Sequence, residues 1–284
     1  MTTTIKIWDV LQGLAIHVRT PNGKDIVIDA GVNENGFSPI YNLNKNHNVA
    51  RIDYAIITHP HKDHIDEIEN LIHLNPEVLR IPKHLNENDI LWNQISEKDK
   101  NLFEAFFDLK KRYTGEVQPH NDPGKPENYG GVKIKTFCSE NCSRNNLNNH
   151  SIVTLLEYAG SKILIPGDNE KESWDELLKR KDFVESIKGT NILVASHHGR
   201  KSGHHLNLFD YIKPNLVIVS DGPVKPTNAV SDYSLNVHEK GWTVHKPDKT
   251  LENRKILTTR KDGMIKIECY SNNGTNYCIV TKSK

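Results

Sequence analysis

The sequence predicts an α/β protein with mixed sheets, and three observations lead to this fold class. Short apolar runs rich in β-branched residues recur along the chain, as in buried strands. Segments with helical apolar spacing lie between many of these runs. Several strand-like runs also end on histidine or aspartate, as in residues 54–59, 163–168 and 191–198. A chain of 284 residues can bury a substantial core within one domain.

The N-terminal part of the sequence predicts three strands. Residues 5–10 and 15–19 alternate between apolar and polar side chains, with a break at Gly13. Residues 21–24 contain Asn-Gly, a pair that is typical of a hairpin turn. This turn leads into residues 25–31, a strand that ends on an acid and a glycine.

The next strand-like run, residues 54–58, leads into the most informative stretch of the sequence. Three histidines and one aspartate follow in the order His-x-His-x-Asp-His. Imidazole and carboxylate together suit zinc, manganese or iron, whereas an all-oxygen set suits magnesium or calcium. Four ligands so closely spaced can hardly converge on one centre, so the sequence predicts two ions. These residues are His59, His61, Asp63 and His64.

Charge and composition limit the class of partner. The chain carries 37 basic and 36 acidic residues, and its net charge of +1 excludes a globally basic nucleic-acid coat. No apolar run approaches the roughly 20 residues that span a membrane, and the N-terminus lacks a signal-peptide pattern. We therefore expect a soluble, cytoplasmic protein without a membrane partner. The four cysteines form no Cys-x-x-Cys pair and are expected to be reduced thiols.

A helical insert is predicted at about residues 82–129, within a single domain that covers residues 1–284. Residues 86–100 are polar, whereas residues 102–109 carry an apolar face at helical spacing. Such a segment is either a lid that contacts substrate or an amphipathic helix packed on the outside of a sheet. The second arrangement is the commoner one.

A later hairpin and a later strand supply further candidate residues. The hairpin places His150 at the mouth of one strand and Asp168 at the end of its partner. The buried run 191–196 ends on His197 and His198. Gly-Arg-Lys follows, and two cations with flexible neighbours beside a metal site suit a phosphate group.

The order of residues 59–64 resembles the signature of the metallo-β-lactamase superfamily. The opening of the chain resembles the lactamase-fold domain of the ComEC competence proteins and their soluble relatives. Residues 12–13 and 21–31 match that pattern, and Leu11 and Leu14 depart from it. The later His-His-Gly resembles the last motif of the soluble ComEC-like group. The resemblance covers most of the chain except the insert, and it implies a four-layer αββα sandwich with mixed sheets.

The same resemblance implies a centre of two divalent metal ions, Zn²⁺ or Mn²⁺. Three ligands would hold each ion, and one carboxylate would bridge the two ions. The implied ligands of the first ion are His59, His61 and His150. Those of the second ion are Asp63, His64 and His197. Asp168 would bridge the two ions.

A hydroxide shared by two ions roughly 3.5–4 Å apart can attack a substrate, so the resemblance implies a metal-dependent hydrolase. Asp63 and His198 are the predicted catalytic residues. His198 would contact a substrate oxygen or protonate the leaving group, and its role could be exchanged with that of His197. Arg200 and Lys201 are predicted to bind substrate, or else form an ordinary solvated basic turn. We expect a phosphodiesterase or nuclease that acts on a nucleic acid or nucleotide.

Three alternative functions remain open at this point. A lactam, lactone or thioester hydrolase would use the same hydroxide on a carbonyl, but it would need an apolar pocket, which the Arg200–Lys201 pair does not favour. A cyclic-nucleotide phosphodiesterase would act on a smaller phosphodiester. A non-catalytic binding module would retain only the fold, and the intact ligand set argues against it. Fold similarity alone does not select among these functions.

Overall fold

Two β-sheets pack face to face in the computed structural model, which describes residues 1–223 and 226–284. The strands are β1 (Thr2–Ile7), β2 (Ile16–Arg19), β3 (Asp25–Ile28), β4 (Tyr54–Ile56), β5 (Val78–Arg80), β6 (Lys133–Phe137), β7 (Val153–Tyr158), β8 (Ser161–Ile165), β9 (Ile192–Val194), β10 (Leu216–Val219), β11 (Trp242–His245), β12 (Leu251–Arg254), β13 (Ile256–Thr258), β14 (Ile265–Asn272) and β15 (Thr275–Lys282). The α-helices are α1 (Pro39–His47), α2 (Lys62–Ile65), α3 (Ile68–His73), α4 (Lys100–Arg112), α5 (Lys171–Leu177), α6 (Lys181–Ile187), α7 (Val230–Leu235) and α8 (Thr259–Asp262).

Both sheets are mixed. The nine-stranded sheet has the order β12-β11-β15-β14-β1-β2-β3-β4-β5, and its strands β3, β4 and β5 run parallel. The six-stranded sheet has the order β13-β10-β9-β8-β7-β6, and β8, β9, β10 and β13 run parallel. Because parallel strands bring their carboxyl ends to one edge of a sheet, the loops after β4, β8 and β9 can meet.

The core is divided into layers by the alternation of side chains along the strands. In β3, Ile26 and Ile28 pack into the interior between the sheets, whereas Val27 joins the cluster on the outer face. Helices α1, α3 and α4 cover the outer face of the nine-stranded sheet, and α5, α6 and α7 cover that of the six-stranded sheet. Each fully buried aliphatic side chain contributes about 1.5–3 kcal/mol. The predicted α/β fold with four layers and mixed sheets is confirmed.

Helix α4 lies within the segment 82–129 and carries its apolar side chains on one face. Phe103, Phe106 and Phe107 are buried in the same cluster as Ile65 and Leu71. Within this insert, the helix therefore packs on the outside of the sandwich.

None of the helices within residues 1–223 and 226–284 combines the length and the apolar composition that crossing a membrane requires.

Phe106 anchors the insert, because its side chain is fully buried. We expect Phe106→Ala to lower the free energy of unfolding by about 3–5 kcal/mol, through lost burial and the cavity left behind. Urea denaturation followed by circular dichroism measures this change. Glu104→Ala, on the exposed side of the same helix, should change stability by less than about 0.5 kcal/mol. Equal effects of the two variants would contradict the packing described for α4.

Candidate metal centre

Loops that leave three strands carry the residues of the candidate site. The segment after β4 contains His59 and His61, and the first turn of α2 adds Asp63 and His64. Asp168 follows β8, and a short 3₁₀ turn after β9 carries the two histidines of the His-His-Gly sequence. The parallel pairing of β8 with β9 brings their ends to the same edge of the sheet.

Four side chains converge in a buried cluster. The Nε2 atom of His64 lies 3.3 Å from Oδ1 of Asp168 and 3.3 Å from Nε2 of His198. The Nε2 atom of His198 lies 3.2 Å from Oδ2 of Asp63 and 3.2 Å from Oδ2 of Asp168. Asp168 therefore contacts both imidazole rings through different oxygens.

His59 and His61 add a second pair of donor atoms beside this cluster. The Nε2 atom of His59 lies 3.0 Å from Nδ1 of His61. His59 also groups with His64 and Asp168, with one ligand atom of each within 4.8 Å of the others. The Nδ1 atom of His59 lies 3.2 Å from Oγ of Ser151, which leaves Nε2 to face the site.

The separations between the donor atoms fit bound metal ions. In a tetrahedral zinc site with bonds of about 2.0–2.1 Å, neighbouring ligand atoms lie about 3.3 Å apart. The observed separations of 3.0 Å at His59 and 3.2–3.3 Å at His198 are close to this value. Two overlapping groups of side chains could hold an ion, and His64 can serve in only one of them at a time: His59, His64 and Asp168, and Asp63, His64 and His198.

Charge in the cluster also suits cations. Burial raises the pKa of Asp168, but His198 and His64 outweigh burial and hold that pKa well below its ordinary value. Burial lowers the pKa of His59 well below its ordinary value, and His64 and His61 lower it further. Asp168 is thus ionised and His59 neutral, as metal ligands must be. Burial lowers the pKa of His198, but the nearby carboxylates outweigh burial and raise this pKa to about 9, so a bound metal ion would displace the proton of this ring.

Asp29 orients the ring of His64 from the side opposite the cluster. Its Oδ2 atom accepts a hydrogen bond from Nδ1 of His64 at 2.7 Å, so the Nε2 atom of His64 faces the cluster. The same carboxylate accepts the backbone N–H of Thr58 at 2.6 Å and the Thr58 hydroxyl at 2.7 Å. Burial raises the pKa of Asp29, and the adjacent His64 opposes this shift. A buried carboxylate behind a metal-binding imidazole fixes the ring and its tautomer.

His198 and Asp63 are held by loops from other parts of the chain. The Nδ1 atom of His198 lies 3.1 Å from the carbonyl of Ser220, so this nitrogen donates and Nε2 faces the cluster. The Ser220 hydroxyl donates to the carbonyl of Gly13 at 2.7 Å. Gly13 has φ +126°, and a Cβ there would lie 2.4 Å from the carbonyl oxygen of Asp63. Only glycine fits this close approach without a shift of backbone.

His197 lies at the rim and not within the cluster. Its Nδ1 atom lies 2.7 Å from Oε1 of Glu170 and 2.9 Å from the Ser202 hydroxyl. Its Nε2 atom lies 3.8 Å from Oδ2 of Asp168. Both His197 and His198 have left-handed backbone angles, with φ 49° and 53°, so their side chains leave the turn in different directions. Of this pair, the structure brings His198 to the other donors.

His150 also lies outside the cluster. Its Nδ1 atom is 2.9 Å from Nε2 of His84 in the insert, and its Nε2 atom is 3.2 Å from the carbonyl of Ser143. The ring is fully buried among these partners. The structure thus does not bring His150 to the donor atoms of His59 and His61, and its role as a ligand stays a prediction.

The two predicted substrate-binding cations differ in position. Arg200 lines a small pocket beside His198, together with Gln12, Asp221 and Asn228. One of its terminal nitrogens lies 3.3 Å from Nε2 of His197. Lys201 is exposed outside this pocket. The structure therefore brings Arg200 to the site and leaves Lys201 on the surface.

Comparisons with known proteins bear on the fold. A scan against models of protein families finds no match. Among solved structures, the metallo-β-lactamase fold protein YhfI from Bacillus subtilis is similar with a TM-score of 0.51. The alignment covers 94% of this chain and 100% of that chain at 12% sequence identity. This chain has the metallo-β-lactamase fold.

Sequence similarity indicates the ComEC-like group among the proteins with this fold. The chain is 27% identical to ComE operon protein 3 of Bacillus subtilis (strain 168) over 176 residues, which is 61% of this chain and 20% of that protein. It is 21% identical to Recombination protein 2 of Haemophilus influenzae over 229 residues, which is 79% of this chain and 25% of that protein. The chain thus matches a quarter or less of the length of these relatives. The predicted resemblance is confirmed.

Sequence reasoning missed three groups that support the metallo-β-lactamase site. Asp29 carried a signal, because an acid ended the third strand-like run just ahead of the ligand motif. Ser151 and the carbonyl of Ser220 carried none, since only the packing of distant loops brings them to His59 and His198. Together, the metallo-β-lactamase fold and the His/Asp cluster support a metal-dependent hydrolase.

Asp29→Asn tests the orientation of His64. We expect this variant to bind Zn²⁺ about 10–100-fold more weakly, because the amide holds the ring and its tautomer less well than the carboxylate does. Competition with a chromogenic chelator measures the affinity. Asp25→Asn is a matched control, because Asp25 is another buried acid, at the start of the strand that Asp29 follows, and pairs with His17 at 2.7 Å outside the cluster. An equal loss of affinity in both variants would refute the assigned role of Asp29.

Proposed function

We propose that this chain is a dinuclear metal-dependent phosphodiesterase that acts on nucleic acid or nucleotides. The observation that carries the proposal is the convergence of His64, His198, Asp63 and Asp168 at 3.2–3.3 Å, with the His59–His61 pair beside them. Such a donor set binds borderline divalent ions such as Zn²⁺ or Mn²⁺.

We assign the ligands from the positions of the donor atoms. One ion would be held by His59, His61 and Asp168, and the other by Asp63, His64, His198 and Asp168. In this assignment His198 takes the ligand role that the family resemblance implied for His197. When bound, two divalent ions activate a water molecule and polarise the oxygen atoms of a phosphodiester.

His197 is suited to proton transfer at the rim. Its Nδ1 atom is bonded to Glu170, and its Nε2 atom faces the edge of the cluster. The hydrogen bond from His197 lowers the pKa of Glu170 to about 2, so this carboxylate is ionised and orients the ring. An imidazole oriented by a carboxylate can donate a proton to a leaving oxygen once Nε2 is protonated, which requires the Arg200 guanidinium to leave Nε2 and pair with the substrate.

Arg200 supports a phosphodiester substrate over a neutral one. Its guanidinium group lines the pocket that adjoins His198, where it could pair with a phosphate oxygen. A lactam or lactone would leave this cation without a partner. One of the two sequence relatives is named for recombination, which accords with a nucleic-acid substrate.

The first experiment compares the parent with His198→Ala and His197→Ala. We expect the parent to bind about two metal ions per chain and to cleave bis-p-nitrophenyl phosphate. His198→Ala should lose one ion and lower kcat/KM at least about 100-fold, because a ligand is missing. His197→Ala should keep both ions and lower kcat alone, most strongly for poor leaving groups. Plasma emission spectrometry counts the metal.

The same preparations are then assayed on single- and double-stranded DNA, RNA, a cyclic nucleotide and a lactam. Cleavage of the lactam without cleavage of any phosphodiester would replace the proposal with a carbonyl hydrolase. A parent that binds no metal would overturn the site itself. Loss of metal in His197→Ala but not in His198→Ala would reverse the ligand assignment.

Arg200→Gln tests the substrate contact. We expect KM for bis-p-nitrophenyl phosphate to rise about tenfold with a smaller change in kcat, because one charge-assisted hydrogen bond to phosphate is lost. Lys201→Gln, the neighbouring cation that the structure leaves exposed, should change KM less than about twofold. Steady-state kinetics at fixed ionic strength measures both, and an equal effect of the two substitutions would contradict the position assigned to Arg200.

A further inference from the structure

A cleft opens where the edges of the two sheets meet. Strand β5 is the last strand of the nine-stranded sheet, and β6 is the last strand of the six-stranded sheet. The cleft between them has a volume of about 480 Å³. Its walls include Tyr54, Arg80, Lys135, Thr136, Phe137 and Ser186, and the loop 122–124 of the insert closes one side.

Arg80 is the unusual member of this cleft. Its Nε atom is buried and has no hydrogen-bond partner. Among residues 1–223 and 226–284, its guanidinium group has no carboxylate within ion-pair distance, and its backbone carbonyl accepts the N–H of Ile57. Burial of this one nitrogen without a partner is unfavourable, and the rest of the guanidinium group, on a side chain that is only half-buried, is free to pair with an anion.

The neighbouring charges leave the cleft positive. The Nζ atom of Lys135 reaches the Ser186 hydroxyl at 3.1 Å, at the same wall. Two acids also line the cleft, but Asp182 is already paired with Arg180 at 2.7 Å, and Asp122 accepts the backbone N–H of Gly124 at 2.8 Å. Because a backbone N–H does not neutralise Asp122, the cleft has, among the residues that the structure describes, two cations without an ion pair, Arg80 and Lys135, against one such carboxylate, and its net charge is positive.

We propose that this cleft is a second binding site, which takes a phosphate group. The Arg80 guanidinium, the Lys135 ammonium and the Thr136 hydroxyl supply donors to a tetrahedral oxyanion, whereas the Ser186 hydroxyl donates to the Asp182 carbonyl at 2.7 Å and positions the lysine. Tyr54 and Phe137 add aromatic walls, and the volume is large enough for a nucleotide. The phosphate can belong to a free mononucleotide or to the backbone of a nucleic acid.

The cleft shares no residue with the metal centre. Its lining comes from β4, β5, β6, α6 and the insert, whereas the donor cluster lies in the loops after β4, β8 and β9. Phosphate binding at the cleft therefore does not rest on the proposed phosphodiesterase activity. The two sites are connected through Ile57, which donates its backbone N–H to the Arg80 carbonyl and lies two positions before His59.

The test measures binding of two probes, inorganic phosphate and thymidine 5′-monophosphate, to the full metal-loaded chain by isothermal titration calorimetry. Four variants are compared with the parent: Arg80→Gln, Lys135→Gln, Lys133→Gln and Asp63→Asn. Lys133 is the matched control, because it is an exposed lysine on the same strand that pairs with Glu157 at 2.9 Å outside the cleft.

We expect the monophosphate to bind the parent and Lys133→Gln equally. Arg80→Gln should weaken this binding at least about tenfold, and Lys135→Gln should weaken it by a smaller factor. Asp63→Asn alters the metal centre and should retain a binding event that Arg80→Gln abolishes. The same ligand should raise the melting temperature of the parent but not of Arg80→Gln. Melting without ligand checks that Arg80→Gln folds, and Lys135→Gln provides a second readout at an exposed position.

Cleavage assays distinguish the two sources of phosphate. If the cleft binds nucleic acid, Arg80→Gln raises KM for an oligothymidylate but not for bis-p-nitrophenyl phosphate, which is too small to occupy both sites. If it binds a free mononucleotide, KM is unchanged for both substrates although monophosphate binding is lost. Either result supports the site. A parent that binds neither probe, or an Arg80→Gln variant that binds both as the parent does, would overturn it.

Discussion

The carboxylate of Asp29 connects the candidate site to the core of the fold. Asp29 directly follows the buried strand β3, and its carboxylate accepts both the backbone N–H and the hydroxyl of Thr58 and orients the ring of His64. These bonds are fully buried, so the loss of any one would leave a polar group unsatisfied in the interior. These bonds hold the loop after β4 in the conformation that brings the donor atoms together.

Packing around this loop extends the same constraint to the rest of the site. Gly13 lies against the carbonyl of Asp63, and Ser220 connects Gly13 to His198. Gly167 meets Thr58 in the same way, because a Cβ there would lie 2.9 Å from the Thr58 side chain. These contacts connect the loop at Gly13 and the segment 58–64 with the loops after β8 and β10. The two sheets therefore cannot shift relative to each other without moving the donor atoms.

The sequence was sufficient to predict the fold and the region of the site, but not the direction of every side chain. The apolar runs before His59 and Asp168 could be recognised because a buried parallel strand is apolar along its whole length. The choice between His197 and His198 depends on backbone dihedral angles that neighbouring residue types do not specify. The direction of His150 depends on His84, which lies 66 positions away in an insert without a recognisable motif.

The two consecutive left-handed histidines have a consequence for the evolution and engineering of this chain. A non-glycine residue in this conformation costs about 1–3 kcal/mol, so the turn at His197 and His198 stores strain that glycine would relieve. Selection for thermal stability alone would favour glycine at these positions, with the loss of both imidazole rings. Persistence of the strained pair in any lineage would thus record selection for the histidine side chains rather than for folding.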